Sequence, residues 1–456
     1  MSDKISFCLL DCYPQDNIRM CKDTAGGYGT GNNFGKTFLS KILNIFTQSQ
    51  IHQPQMHVGY LLRILKNNNS TITYTNDKNS QEIINADFII LTSSIIAHET
   101  EVEALEFLEK LNKKTFVVGI FSKIKKESYL KKNSIIIDGE SEKFFNDIEI
   151  NLENLNNYFV KDEKIINVGF LDNLDKLPFP NWEDYNKINK LKNHFLNFDT
   201  RVAIPILATR GCPYSCFNYC TYPLQQGRKV RARSPENIVS EIEYWNNKFR
   251  NPKFIFRDPV FSINRKHTLA LCNLLIEKNI KNDFLIETHL NNLDDELISL
   301  LKKAGLKLVY VGVESKHSDV LKNINRFSVS EDKQYEVIKK LEENKIFVKS
   351  MFMIGNPEDN EDKVVETINY AKKLKNTLAQ FSVFTPYPGT PAFANFENLI
   401  DENEMEKFNQ YNLVFKHKNF DKNKINRLKS IAYKSFYLRF QTINLLIFYI
   451  KNIFIK

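Results

Sequence analysis

The chain has 456 residues, of which 42% are hydrophobic, 26% charged and 12% aromatic, and 63 Lys and Arg against 54 Asp and Glu leave a net charge of +9. That length suggests about three domains, and 15 Gly, 14 Pro and 7 Cys exclude a disordered, a collagen-like or a disulfide-stapled chain. The basic excess is scattered in short clusters such as Lys123, Lys125 and Lys126 rather than gathered into a stripe, which weighs against nucleic acid as a partner.

Met1-Ser2-Asp3-Lys4 does not lead from a basic stretch into an apolar core, and no run reaches the roughly 18 apolar residues of a membrane span. With an odd cysteine count, the expected setting is a reducing cytoplasm. From residue 5 onward, strand-like runs at 5–10, 70–75, 88–91, 115–120 and 134–137 alternate with helical patterns at 58–65 and 99–111. This predicts βαβ units around a parallel sheet, a Rossmann-like domain over residues 1–160. Residues 161–197 read as a connector, because Leu177-Pro178-Phe179-Pro180-Asn181-Trp182 enforces an extended path.

A second αβ zone covers residues 198–395. Its strand candidates are 203–208, 254–257, 284–288, 308–313, 348–354 and 381–385, with helical segments at 235–244, 294–304 and 363–374 between them. Gly305 is placed to stop the helix that ends at Ala304. Six such repeats predict a partial (βα)6 barrel with its chemistry at the carboxyl ends of the strands. Residues 396–456 read as a basic helical region. Its apolar end, 445–456, is expected either to pack on the core or to make peripheral membrane contact.

The chemistry concentrates in Gly211-Cys212-Pro213-Tyr214-Ser215-Cys216-Phe217-Asn218-Tyr219-Cys220, where three of the seven cysteines follow the strand at 203–208. Three thiolates so close on one loop can converge on one metal centre. Zinc usually takes four ligands in two pairs, and no second pair follows. A [4Fe–4S] cluster held by three cysteines, with its fourth iron open, fits better.

At these residues the chain resembles the radical S-adenosylmethionine (SAM) superfamily, over about residues 204–393. The resemblance implies that Cys212, Cys216 and Cys220 bind the cluster and that its open iron chelates the amino and carboxylate groups of SAM. Reductive cleavage of SAM then gives methionine and a 5′-deoxyadenosyl radical, which abstracts hydrogen from a substrate. The family spacing is C-x3-C-x2-C with an aromatic before the last cysteine. Tyr219 is that aromatic, and the gap before Cys220 is one residue longer. The resemblance further implies a SAM site formed by Tyr219, by Asp258 in Phe256-Arg257-Asp258-Pro259, by Glu314 in Val311-Gly312-Val313-Glu314-Ser315, and by Gly355 in Met353-Ile354-Gly355-Asn356-Pro357-Glu358. Thr385-Pro386-Tyr387-Pro388-Gly389-Thr390-Pro391 resembles the exit loop of the sixth strand. Glu287, Thr288 and His289 close the third strand and are expected to face the same cavity, where one of them could handle substrate protons. Arg228, Lys229, Arg231 and Arg233 would either meet an anionic group or form a solvated loop.

The order of an αβ domain, a Pro-containing connector and this barrel resembles the cobalamin-binding branch of the superfamily. The segments 86–94, 116–120 and Asp138-Gly139-Glu140-Ser141-Glu142 stand where strands and cofactor-facing loops would lie. The branch's D-x-H-x-x-G motif, which gives cobalt a histidine, is missing: none of the eight histidines has Asp two residues before it. The resemblance implies a cobalamin-dependent methyltransferase acting on an unactivated carbon of a small-molecule or lipid-linked substrate, served by an electron donor such as flavodoxin or ferredoxin. The alternative is a cobalamin-free radical SAM oxidoreductase or cyclase whose N-terminal domain only binds substrate.

Residues 26–37, GGYGTGNNFGKT, fail the phosphate-loop test, because five residues separate Gly29 from Gly35 where four are required. The segment is expected to be a mobile glycine loop near the domain interface. Cys8, Cys12, Cys21 and Cys272 are read as core or incidental cysteines.

Overall fold

The computed structural model describes residues 4–14, 19–32, 38, 41, 52–68, 70–189, 191 and 201–439. Asn33, Phe34, Gly35, Lys36 and Thr37 of the glycine run and the apolar end at 445–456 lie outside the described residues.

The first sheet contains β1 (Ser6–Leu10), β2 (Thr71–Thr75), β3 (Phe88–Thr92), β4 (Lys114–Val118), β5 (Ser134–Gly139) and β6 (Ile165–Gly169). All pairings are parallel and the order is β2-β1-β3-β4-β5-β6. The central strand β3, Phe-Ile-Ile-Leu-Thr, is buried along its whole length, as a strand covered on both faces must be. Helices α1 (Met56–Asn67) and α2 (His98–Lys110) belong to this domain. The edge strand β6 falls within the predicted connector. It is only half-buried, and Asn167 interrupts its apolar residues Ile165, Ile166 and Val168.

The rest of the connector is fastened to both domains. Trp182 is fully buried and its indole donates to the carbonyl of Pro205 at 3.0 Å. The Asn181 amide donates to the carbonyl of Gly59 in α1 at 2.7 Å. A Cβ at Gly59 would lie 2.7 Å from the Trp182 ring, so glycine there lets helix and strap touch.

The second sheet runs β7 (Ala203–Ile206), β8 (Lys253–Phe256), β9 (Phe284–Thr288), β10 (Leu306–Glu314), β11 (Phe347–Ile354) and β12 (Leu378–Val383), in chain order and all parallel. This is the predicted partial barrel. Helix α3 (Asp295–Ala304) shows why its local sequence folds so well. Asp294 accepts from the Leu297 amide at 2.8 Å, two acids sit in the first turn and two lysines in the last. Gly305, with φ 112°, ends the helix, and Leu297, Ile298, Leu301 and Ala304 are buried.

In the C-terminal region, α4 (Lys422–Tyr437) packs on the last strand. The Tyr437 hydroxyl donates to the carbonyl of Ala379 at 2.8 Å, and the Tyr433 hydroxyl accepts from the Phe381 amide at 3.1 Å. These tyrosines satisfy backbone groups on the edge of β12 that would otherwise be open to another strand. Among the described residues, no helix is long and apolar enough to cross a membrane.

Candidate active site

A cavity of about 310 Å³ lies at the carboxyl ends of β8 to β12. Cys212, Cys216 and Cys220 all line it. The cysteine loop leaves a short hairpin in which Thr209 and Arg210 pair with Ala232 and Arg231. Gly211 has φ 95°, and a Cβ there would overlap the carbonyl of Lys229, so the loop starts pressed against the returning strand. A 3-10 turn over Ser215–Asn218 absorbs the extra residue of the long gap. The amides of Tyr219 and Cys220 both donate to the carbonyl of Cys216, at 3.1 and 3.0 Å, which returns Cys220 to the cavity.

The Cys216 and Cys220 thiols hydrogen-bond one another, and the Arg326 guanidinium lies 3.8 Å from the Cys216 sulfur. The Cys220 contact brings the Cys216 thiol down to about 6, against the opposing effect of burial and with help from Arg326. Arg326 also donates to the carbonyl of Gly312 at 3.0 Å and lies 3.7 Å from a Glu314 oxygen. A Cβ at Gly312 would sit 2.5 Å from the tips of both Arg326 and Glu314, so a side chain there would push that pair aside. Glu314 has φ 64°, uncommon outside glycine, and the β10–β11 register shifts beside it. Burial raises the Glu314 carboxyl above its ordinary range despite Arg326.

Tyr219 and Glu314 line the cavity, but Asp258 and Gly355 do not. The geometry thus places Tyr219 and Glu314, but not Asp258 and Gly355, on the cavity wall. Arg257 and Pro259 face the cavity, so strand alternation turns Asp258 away. Its carboxylate accepts from the Ala208 amide at 3.1 Å, the Thr209 hydroxyl at 2.7 Å and the Thr209 amide, which holds the strand end ahead of the cysteine loop. Gly355, at φ 70°, forms a turn facing helix α4, where a Cβ would lie 3.0 Å from Ile425. Met353, two residues earlier, is the one that reaches the cavity.

Glu287, Thr288 and His289 line the cavity as expected. Burial pushes the Glu287 carboxyl up to about 7, partly offset by Arg257. Burial brings His289 down to about 4, which keeps the ring neutral between Tyr214 and Phe327. The basic quartet is neither an anion site nor merely a solvated loop. Arg231 grips Glu140 of the first domain at 2.8 and 2.9 Å, Arg233 pairs with Glu241 at 2.5 Å, and Arg228 donates to the Pro213 carbonyl at 2.5 Å. Lys229 is well exposed, 3.8 Å from Asp172, and Arg228 is exposed as well.

Sequence reasoning missed Arg326 and named no residue of the first domain at the cavity other than those of the glycine loop near the interface. Cys21, Thr24, Ala25 and Thr30 line the cavity from that side. The described part of the glycine run is held rather than mobile. Tyr28 is fully buried, donates to the Pro388 carbonyl at 2.5 Å, and meets Phe121 and Tyr387 edge-on at 5.3 Å each. Thr221, next to Cys220, donates through its hydroxyl to the carbonyl of Ala25. Cys8, Cys12 and Cys272 are buried, and burial lifts their thiols, to about 11 for Cys8 and about 12 for Cys272.

Residues 206–371 match the radical SAM superfamily. The chain is 27% identical over 271 residues to an uncharacterised methyltransferase of Pyrococcus horikoshii, covering 59% of this chain and 57% of that one. It is 28% identical over 217 residues to the bacteriochlorophyllide d C-12(1)-methyltransferase of Chlorobaculum tepidum, covering 47% of each. It is 32% identical over 236 residues to an anaerobic magnesium-protoporphyrin IX monomethyl ester cyclase of Cereibacter sphaeroides, covering 51% of this chain and 37% of that one. The chain thus spans about half the length of the curated relatives it matches. Its fold is similar to that of OxsB, a cobalamin-dependent SAM radical enzyme solved with aqua-cobalamin and SAM, with a TM-score of 0.65 at 15% identity over 94% of this chain and 66% of that one. It is also similar to the radical SAM methyltransferase TsrM of Kitasatospora setae, solved with cobalamin and a [4Fe–4S] cluster, with a TM-score of 0.59 at 13% identity over 87% of this chain and 75% of that one.

Proposed function

We propose, for a chain that belongs to the radical SAM superfamily and folds as its cobalamin-dependent members do, that it cleaves SAM reductively and abstracts hydrogen from a small organic substrate. The observation that carries this reading is the convergence of Cys212, Cys216, Cys220, Tyr219 and Glu314 on one cavity at the carboxyl ends of the barrel strands. The donor set fits a [4Fe–4S] cluster, with three thiols on one loop facing one space and a guanidinium beside the Cys216 sulfur. When bound, such a cluster supplies the electron that breaks SAM into methionine and a 5′-deoxyadenosyl radical.

The chain's own residues then have defined tasks. Arg326 stabilises negative charge at Cys216 and holds Glu314 in its strained position. Glu287, raised to about 7, can give or take a proton near neutral pH at the cavity wall. Tyr219, Met351 and Met353 supply apolar lining, and a partly closed cavity limits quenching of a radical by water.

The relatives favour a carbon-centred outcome, because the named ones methylate a bacteriochlorophyllide or close a ring on a porphyrin ester. A second reading, cobalamin-dependent methyl transfer, is favoured by the fold shared with OxsB and TsrM. An external one-electron donor such as flavodoxin or ferredoxin would serve either reading. The test is anaerobic cluster reconstitution followed by SAM and a chemical reductant. The first reading expects 5′-deoxyadenosine without added cobalamin, and Cys216→Ala reduces it to background. Formation of S-adenosylhomocysteine that requires cobalamin would establish the second.

A further inference from the structure

The order β2-β1-β3-β4-β5-β6 reverses direction between β1 and β3. Doubly wound folds take their ligand at such a switch point, outside the carboxyl ends of the strands. Here the chain's own side chains fill that point. Lys22 lies 2.9 Å from Asp11, just after β1, and 2.9 Å from Glu101 in α2. The second Asp11 oxygen accepts from the Tyr13 and Tyr74 hydroxyls at 2.8 and 3.0 Å. The second Glu101 oxygen accepts from the Ser94 amide and the Tyr129 hydroxyl, both at 2.8 Å. Asp11, Lys22, Thr92, Ser93, Ser94 and Glu101 are all fully buried.

The neighbouring strand ends leave only a small space. Gly119 follows β4 and lines that space, and a Cβ there would lie 2.7 Å from the Ser93 carbonyl. Glu140, after β5, is committed to Arg210 at 3.0 Å and to Arg231 at 2.8 Å. The cavity left on this edge measures about 170 Å³ and is lined largely by polar groups, among them His57, Asp138, Glu142 and Arg210. Pockets for drug-sized ligands run from about 300 to 1,000 Å³, and a corrin with its nucleotide tail is larger than such ligands. Among the described residues, nothing on this edge fits cobalamin.

We propose that the N-terminal domain binds no corrin and has become a wall of the SAM and substrate cavity. Asp11, Lys22 and Glu101 fill the old crevice. The turn that follows Lys22 crosses to the barrel, anchored by the ion pair of Asp23 with Arg257 at 2.5 Å and by Tyr28 on Pro388, and presents Thr24 and Ala25 to the cavity. Gly26 makes the crossing possible, because a Cβ there would lie 2.5 Å from the Thr221 backbone beside Cys220. The wall rests on the radical SAM reading for what the cavity holds; the exclusion of corrin does not.

The test uses the full reconstituted chain, mixed without oxygen with excess hydroxocobalamin and desalted, with iron and cobalt counted in the same sample. The expected result is cluster iron with cobalt at background, and stoichiometric cobalt overturns the exclusion. Ala25→Phe tests the wall: 5′-deoxyadenosine formation is expected to fall several-fold with iron content unchanged, and an unchanged rate overturns it. Loss of iron and of 5′-deoxyadenosine in the unmodified chain would instead overturn the radical SAM reading and leave the cobalt result standing.

Discussion

The two sheets carry the same parallel architecture and end their strands in opposite ways. At the barrel, the carboxyl edge opens on a cavity with three thiols and two carboxyls raised by burial. At the N-terminal sheet, the same edge is largely filled by Lys22 between Asp11 and Glu101 and by Glu140 between Arg210 and Arg231, and only a smaller polar cavity remains. A shared fold with cobalamin-dependent enzymes does not by itself carry a shared cofactor with it, because a site is a property of the strand ends and not of the sheet.

The contrast can be broken from either side. The largest effect is expected at the open edge. Cys212→Ala, Cys216→Ala or Cys220→Ala should abolish retained iron and SAM cleavage while leaving the circular dichroism spectrum of the fold intact. An iron content equal to that of the unmodified chain in any of the three would remove that cysteine from the ligand set.

At the closed edge, Lys22→Met leaves two carboxylates buried without their cation. Breaking a buried pair on one side costs about 3–5 kcal/mol, so chemical denaturation should show a loss of that order. A loss below about 1 kcal/mol would mean that water reaches the crevice. Glu140→Gln weakens a buried contact to two arginines and should cost somewhat less, read the same way.

Glu287 gives a pH signature. Its carboxyl is raised from 4.5 to about 7 in the fold, so the folded state holds a proton that the unfolded state releases. Stability from this group is complete below about pH 4.5 and falls as pH rises through 7, by on the order of 3 kcal/mol. Glu287→Gln should remove that slope from a stability–pH curve, and parallel curves would contradict the raised value. The smallest effect is expected on the surface, where Lys340 and Asp295 pair at 2.6 Å in the open. Lys340→Ala should leave stability nearly unchanged, which calorimetry can separate from the Lys22 variant.

The sequence makes the barrel and its cysteine loop legible because both are local. Apolar runs mark the strands, and three cysteines on one loop need no distant partner to be recognised. For Asp258 and Gly355 the sequence was less informative, because a motif fixes position but not facing. Arg257 and Met353 point into the cavity, and alternation sends Asp258 the other way. Arg326 was invisible because it arrives from the loop after the helix Ser318–Asn323, with nothing in its neighbours to set it apart from other basic residues. The closed crevice was equally hidden: Lys22 is one lysine among many until the fold brings Glu101, 79 residues away, within 2.9 Å. The strand β6 was read as connector because its short apolar run, Ile165, Ile166 and Val168, is broken by Asn167 and stands just before the Pro-containing segment.

The most direct measurement is the yield of 5′-deoxyadenosine from the anaerobically reconstituted chain with SAM and reductant, with and without hydroxocobalamin. The account predicts the same yield in both, lost in Cys216→Ala. A yield that appears only with hydroxocobalamin, or no product from a chain that retains its cluster iron, would contradict it.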